Sequence, residues 1–209
     1  KAADSGKTSK GVALTDEQRE SFRTDARLIR QWLETSADTR WNAPDRTVTA
    51  DTKLDLGGRD VWLRFLGEAN TTGDLAVWDP KTRTLVTGDI VVSPTPYSFG
   101  SYHSEWIEAL DAMRALAPRR IVPGHGQVMD DDAYLRRLAA LFAETRVQVR
   151  KAIANGRTLE QMRKEITLPE FEKQFAGDDP DRIRAFRAFY LEPGIPQAYK
   201  EAKGEPRSE

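Results

Sequence analysis

The chain has 209 residues, with 32 Lys and Arg against 33 Asp and Glu, for a formal net charge of −1. This length fits one domain with a real apolar core, and the charge balance implies no general affinity for nucleic acid or an anionic membrane. No apolar run approaches the length of a membrane span, and the lack of cysteine excludes disulfides and thiolate metal sites.

Residues 1–13 are small, polar and basic, and they predict a flexible N-terminal segment. They contain neither a starting Met nor the apolar core of a signal peptide, so we expect the sequence to be part of a longer product. A capping box of Thr15 and Gln18 then predicts a helix. Apolar residues at helical spacing carry this helix to about Ser36.

Four strands follow, and the last two form a hairpin across a Pro-Lys-Thr turn. The predicted strands are 47–56, 61–66, 74–78 and 84–92.

The remaining chain is mostly helical by pattern. Ser104 predicts the cap of a helix with an apolar stripe, and a short strand follows at 120–122. Asp130, Asp131 and Asp132 are interpreted as the N-terminus of a long helix and not as a metal cluster. A second capping box, of Thr158 and Gln161, and aromatic residues at intervals of three or four over 168–190 also indicate helices, so we expect residues 131–209 to form a helical C-terminal region.

Two residues that suit a metal ion each stand at the end of a predicted buried strand. Asp89 follows Gly88, and His125 lies between two glycines. A strand holds a ligand rigidly, while a glycine lets the backbone turn away from the ion. Both residues also have plainer interpretations, since Gly-Asp is common in turns and His125 could be a histidine of a surface loop.

Several motifs in order resemble the C-terminal half of a metallo-β-lactamase-fold hydrolase, over roughly residues 48–141. The matching pieces are Asn70-Thr71-Thr72-Gly73-Asp74, Asp79-Pro80, Thr87-Gly88-Asp89 and Pro123-Gly124-His125. The resemblance implies an α/β fold of the αββα sandwich type. The chain, as a single partial domain over 1–209, would be its C-terminal half with extra C-terminal helices.

The resemblance also implies roles for the site residues. Asp89 would bridge two divalent zinc ions, His125 would bind the second of them, and Asp74 would support the site by orienting a ligand. Asp74 could equally be a turn aspartate that faces water. His103 matches no ligand of the family, and we interpret it as a residue of a helix start or a pocket rim.

The sequence departs from the family in two places. The opening motif His-x-His-x-Asp-His is absent from this chain, and Asn70 replaces the histidine that should precede Thr71. Asn70 could bind the first metal through its oxygen, leave that site weakened so that only the second is filled, or hydrogen-bond within the following turn.

An aromatic loop directly follows Asp89. Its residues Tyr97, Phe99 and Tyr102 could line a substrate cleft beside the metals, or they could pack on the sheet.

The function implied by the resemblance is a zinc-dependent hydrolase. Water activated by zinc would attack an ester, lactone, amide or similar bond of a small molecule. The remaining ligands would come from the missing N-terminal half or from another subunit, so we expect this chain alone to be inactive. The family also makes a secreted or periplasmic origin conceivable, without deciding it.

The alternative is a non-catalytic, degenerate half-domain that serves as a binding or assembly module, because two ligands are too few for a tight zinc site. Half of a sandwich leaves an apolar face uncovered. We therefore expect the N-terminal half, another subunit or a second copy of the chain to cover it.

Overall fold

A computed structural model describes residues 2–7, 11, 13–40, 42–43, 47–100 and 102–206. The chain divides into two compact units, residues 1–47 and residues 48–209, and each is described here by itself. Among the described residues, no helix combines the length and the apolar character that a membrane crossing requires.

The first unit contains the helices α1 (Ala2–Ser5) and α2 (Asp16–Thr35). The predicted capping box is confirmed, because the Gln18 N–H donates to the Thr15 hydroxyl at 3.2 Å and the Gln18 side chain accepts from the Thr15 N–H at 2.9 Å. The helix ends at Thr35 with Ser36 as its C-cap residue, in agreement with the predicted end near Ser36. Its apolar stripe, which includes Trp32 at 59% exposure, remains exposed. Residues 8–10 and 12 of the predicted flexible segment lie outside the described part.

The second unit is built on a five-stranded sheet whose strands lie in sequence order. The strands are β1 (Thr52–Asp55), β2 (Asp60–Arg64), β3 (Ala76–Asp79), β4 (Thr84–Val92) and β5 (Arg120–His125). The first four strands pair antiparallel, whereas β4 and β5 pair in parallel. This parallel pair brings the ends of β4 and β5 to the same edge of the sheet.

The predicted strands were placed correctly, but several of their bounds were wrong. The first strand starts at Thr52 and not at residue 47, and β3 starts at Ala76 and not at Asp74. Asp74 lies in a turn instead, because its carboxylate accepts hydrogen bonds from Thr71. Strand β5 extends to His125, three residues beyond the predicted end.

Helices account for most of the remaining chain, as predicted. They are α3 (His103–Ala115), α4 (Ala133–Ala154), α5 (Leu159–Glu165), α6 (Pro169–Ala176), α7 (Pro180–Ala185), a π-helix (Phe186–Leu191) and α8 (Glu192–Lys203). The predicted capping box of Thr158 and Gln161 is confirmed at the start of α5. The predicted cap at Ser104 is wrong, since Tyr102 occupies the N-cap position and Ser104 already lies in the first turn.

The two faces of the sheet differ in how far they are covered. Trp78 of β3 and Leu85 of β4 belong to one apolar core with Trp106 of α3 and Phe142 of α4. On the opposite face, the side chain of Val86 is 39% exposed. Its neighbours on that face, Leu63, Val77 and Val122, are partly exposed. The second unit is therefore an α/β structure in which helices bury one face of the sheet, while the apolar second face is partly exposed to solvent.

The hairpin between β3 and β4 is organised by one carboxylate. Asp79 accepts hydrogen bonds from the Thr82 hydroxyl at 2.6 Å and from the Lys81 N–H at 2.9 Å, and it also binds the Arg59 guanidinium. The hydrogen bond from Thr82, together with that from Arg59, holds the pKa of Asp79 well below its usual range. Ionised Asp79 therefore stabilises the turn.

We predict that Asp79→Asn lowers the midpoint of thermal unfolding at pH 7. Because the folded-state pKa lies below the unfolded value of about 3.9, the stabilisation is fully present above pH 4 and is lost as the pH falls through the folded-state pKa. The difference in unfolding midpoint between wild type and Asp79→Asn should therefore be smaller at pH 3 than at pH 7. Asp60→Asn, which removes an exposed partner of Lys53, serves as the control. It should change the unfolding midpoint little at either pH. A gap that does not depend on pH would contradict the assignment.

Candidate metal centre

The two predicted metal donors lie side by side, but only His125 ends its strand, because Asp89 lies inside β4, three residues before its end at Val92. The Oδ1 atom of Asp89 is 3.5 Å from the Nε2 atom of His125. Both side chains are about half exposed, at 42% and 56%, so a ligand can reach them from solvent. The structure thus brings together an oxygen donor and a nitrogen donor that are 36 positions apart in the chain.

Asp89 reaches His125 because β4 bulges next to it. The paired residues around the site are Val86 with Val122, Gly88 with Pro123, and Val92 with His125. Strand β4 therefore uses more residues than β5 over the same stretch. Gly88 adopts a left-handed φ of 52°, which favours glycine at the bulge. Bulges of this kind redirect a side chain, and here the redirected residue is Asp89.

The glycine before His125 makes room for the carboxylate. A Cβ atom at Gly124 would lie 2.1 Å from Asp89 Oδ1 and 2.7 Å from the Gly88 carbonyl carbon. Such distances are too short for any side chain. The Pro-Gly-His motif therefore needs its glycine because Asp89 lies directly against the backbone of β5.

The glycine after His125 is equally constrained. Gly126 has a φ of 96°, and a Cβ atom there would lie 2.5 Å from the Ser93 carbonyl oxygen. The Ser93 N–H in turn donates to the His125 carbonyl at 3.1 Å. From the core side, the Trp106 indole donates to the carbonyl of Ile90, the residue after Asp89, at 3.0 Å. The backbone on both sides of the donor pair is thus held in place.

The separation of the two donors fits a shared cation. Ligands at about 2.0–2.1 Å from one tetrahedral zinc ion lie about 3.4 Å apart, close to the 3.5 Å between Asp89 and His125. In the part of the chain that the structure describes, no three His, Cys, Asp or Glu side chains are grouped so that they could hold a metal. The described residues therefore offer two donors here, fewer than the three protein ligands of a catalytic zinc site.

Asn70 and Asp74 belong to one turn. The Thr71 N–H and the Thr71 hydroxyl both donate to the Asp74 carboxylate at 2.8 Å, so Asp74 orders the turn that follows Asn70. The Asn70 carbonyl oxygen faces Gly100, where a Cβ atom would lie 3.5 Å away. The side-chain amide of Asn70 forms no hydrogen bond among the described residues. A metal role for Asn70 or Asp74 stays a prediction.

An aromatic cluster, formed by Tyr97, Phe99 and Phe189, adjoins His125. The Tyr97 ring lies 5.9 Å from the Phe99 ring, 5.5 Å from the Phe189 ring and 6.1 Å from the His125 imidazole, between centroids. Sequence reasoning missed Phe189, which lies in the π-helix. The sequence did contain a signal for an irregular helix at this point. Pro193, four residues later, has no N–H to donate to the Phe189 carbonyl.

His103 is fully buried, so its interpretation as a pocket-rim residue is wrong, whereas its place at a helix start is confirmed. Its Nε2 atom is hydrogen-bonded to the Ser98 hydroxyl at 2.8 Å, and its ring stacks on Phe142. Burial, with a smaller contribution from Arg146, lowers the pKa of His103 to about 3. His103 is therefore a neutral anchor for the loop that carries Tyr97 and Phe99.

Tyr102, the third predicted pocket residue, is the N-cap residue of α3. Burial, followed by the nearby carboxylates of Glu105 and Glu201, raises the pKa of its phenol. A contact between Tyr102 and a substrate remains a prediction.

Comparison with known proteins identifies the family to which the chain belongs. The sequence model of the metallo-beta-lactamase superfamily matches residues 12–125, which is more than half of the chain. The chain therefore belongs to the metallo-beta-lactamase superfamily. No curated protein sequence matches the chain.

Two solved structures illustrate the likeness. The stereoselective inverting sec-alkylsulfatase Pisa1 from Pseudomonas sp. is 14% identical with a TM-score of 0.58, and the match covers 76% of this chain and 26% of the sulfatase. A metallo-beta-lactamase from Pontibacter korlensis is 22% identical with a TM-score of 0.43, over 56% of this chain and 61% of that enzyme. The chain thus spans less than two thirds of either protein. The sulfatase match supports the shared fold.

We predict that Gly124→Ala destabilises the protein by about 1–3 kcal/mol, the usual cost of overpacking, because the new methyl group would meet Asp89 and the Gly88 backbone. Gly73→Ala is the matched control, since a Cβ atom there meets nothing within 4 Å. It should change the free energy of unfolding by less than about 0.5 kcal/mol. Urea unfolding of both variants measures the difference. Equal effects would show that β5 can move away from Asp89 at little cost.

A second prediction concerns acid stability. Because the pKa of His103 is about 3 in the folded protein and about 6.5 when unfolded, its neutral form stabilises the fold fully above pH 6.5 and progressively less below. Between pH 6 and pH 4.5, the free energy of unfolding of wild type should fall relative to that of His103→Gln by about 1 kcal/mol per pH unit. Urea unfolding at several pH values measures this slope. Parallel pH profiles would contradict it.

Proposed function

We propose that this chain is part of a metal-dependent hydrolase in which Asp89 and His125 bind zinc near the ends of β4 and β5. The main support is the distance of 3.5 Å between the two donors. Gly124, which precedes His125, allows this approach because no side chain would fit there beside Asp89. Membership of a superfamily that includes β-lactamases and sulfatases supports the same proposal.

Asp89 and His125 would hold the metal ion, and Asp89 would also orient the attacking water. A bound zinc ion supplies a Lewis acid and lowers the pKa of a water molecule. The half-exposed Asp89 carboxylate can accept a hydrogen bond from an attacking water and orient it towards an ester, lactone, amide or similar bond. The close contact between the Gly124 backbone and Asp89 would keep Asp89 next to His125 during this step.

We propose further that the donors still needed come from a partner segment, either the N-terminal half of the sandwich or another subunit. Support comes from the apolar sheet face around Val86, which remains exposed in the described part of the chain. A layer placed on this face would end at the same sheet edge as Asp89 and His125. It could therefore supply ligands to a shared ion.

A binding or assembly module is the second candidate. The observation that favours it is the lack of a third His, Cys, Asp or Glu near the donor pair among the described residues. The reading frame upstream of Lys1 and the intact mass of the purified protein separate the two candidates. An upstream His-x-His-x-Asp-His motif would favour the hydrolase.

Calorimetric zinc titration tests the metal assignment directly. Removing a donor by Asp89→Ala or His125→Ala should weaken zinc binding at least about tenfold, since even the loss of residues that only support ligands costs that much. Asp130→Ala is the control, because Asp130 is an exposed partner of Arg120 and should leave zinc binding unchanged. Equal zinc affinity and stoichiometry in wild type and both donor variants would remove the proposal.

A further inference from the structure

The aromatic cluster of Tyr97, Phe99 and Phe189 has the properties of a binding surface beside the proposed metal centre. Phe99 is 51% exposed and Phe189 is 43% exposed, although both rings are large and apolar. Tyr97 connects them to His125 at 6.1 Å between ring centroids. Small-molecule sites are typically lined by apolar and aromatic side chains with a few polar groups beside them.

We propose that this cluster binds an aromatic group of the substrate and that Phe189 is its specificity-determining residue. The inference rests on the proposed function for the position of the reacting bond, whereas the ring-binding surface itself needs no metal. Three rings span too little area for a stable protein interface, which takes about 800 Å² per partner. They do suit one planar ring, which would pack edge-to-face as the cluster's own members do.

Phe189 is placed by a backbone effect that the sequence encodes. In an α-helix its carbonyl would accept from the residue four positions later, but that residue is Pro193, which has no N–H. The segment is a π-helix, in which the Glu192 N–H donates to the Arg187 carbonyl. The Phe189 carbonyl accepts instead from the Ser98 N–H at 3.0 Å. Single π-helical turns are rare and are frequent at functional sites.

Further contacts fix the loop against the C-terminal helices. The Gln197 side chain donates to the Phe99 carbonyl at 2.6 Å, and the Ser98 hydroxyl is hydrogen-bonded to buried His103 at 2.8 Å. A Cβ atom at Gly194 would lie 3.2 Å from the Ser98 hydroxyl, so α8 approaches the loop closely. The rings of Phe99 and Phe189 are therefore exposed on a rigid frame. Such preorganisation lowers the entropy cost of binding a ligand.

The test compares 2-naphthylacetate with acetate as probes, by NMR titration of the full chain with zinc and with a chelator. Wild type should bind 2-naphthylacetate roughly tenfold more tightly than acetate. Phe189→Ala should weaken 2-naphthylacetate binding about three- to tenfold and leave acetate unchanged. Phe189→Leu, which keeps the apolar volume and the backbone contact, should show an intermediate loss.

Phe65→Ala is the matched control, because Phe65 lies in the same compact unit and is 46% exposed outside the cluster. It should leave the binding of both probes unchanged. Binding of 2-naphthylacetate that does not depend on Phe189 in either condition, or no measurable binding, overturns the inference. Phe189-dependent binding that is the same with zinc and with chelator keeps the inference and counts against the proposed zinc role.

Discussion

The structure depends on the close approach of β4 and β5 at one point, where the Asp89 carboxylate lies against the backbone of Gly124. Strand β4 can reach that position only by bulging, and the left-handed φ of Gly88 makes the bulge accessible. Because the sheet pairs the two strands in parallel, His125 ends at the same edge. Two glycines and a bulge thus convert an ordinary strand pair into a pair of facing donors.

Local signals in the sequence predicted much of this architecture. The capping boxes at Thr15 and Thr158 hold as predicted because their hydrogen bonds join residues only three positions apart. Strand β4 has its predicted bounds, since a hairpin turn limits one end and prolines limit the other. The convergence of Asp89 and His125 was expected from their strands, but Asp89 lies inside β4 and reaches His125 through the bulge, which the sequence analysis did not predict.

Other features depend on contacts that sequence spacing does not show. His103 is buried because Phe142 and Tyr190, far along the chain, stack on its ring. Phe189 joins the aromatic cluster through ring contacts with Tyr97 and Phe99, and through a hydrogen bond that spans more than 90 positions to Ser98. The period of aromatic residues in the tail indicated a helix, and such a period cannot distinguish a ring that faces the core from a ring that faces a site.

The hydrogen bond between the Ser98 N–H and the Phe189 carbonyl joins the C-terminal helices to the loop that follows β4. Strands β4 and β5 hold Asp89 and His125, whereas the π-helix carries the ring that we propose to select the substrate. Because Pro193 has no N–H to donate to the Phe189 carbonyl, a residue far in sequence from Asp89 and His125 helps to position the Phe189 ring. Under the proposed roles, the groups for chemistry and the ring for selectivity belong to different stretches of one polypeptide, so each can vary without the other.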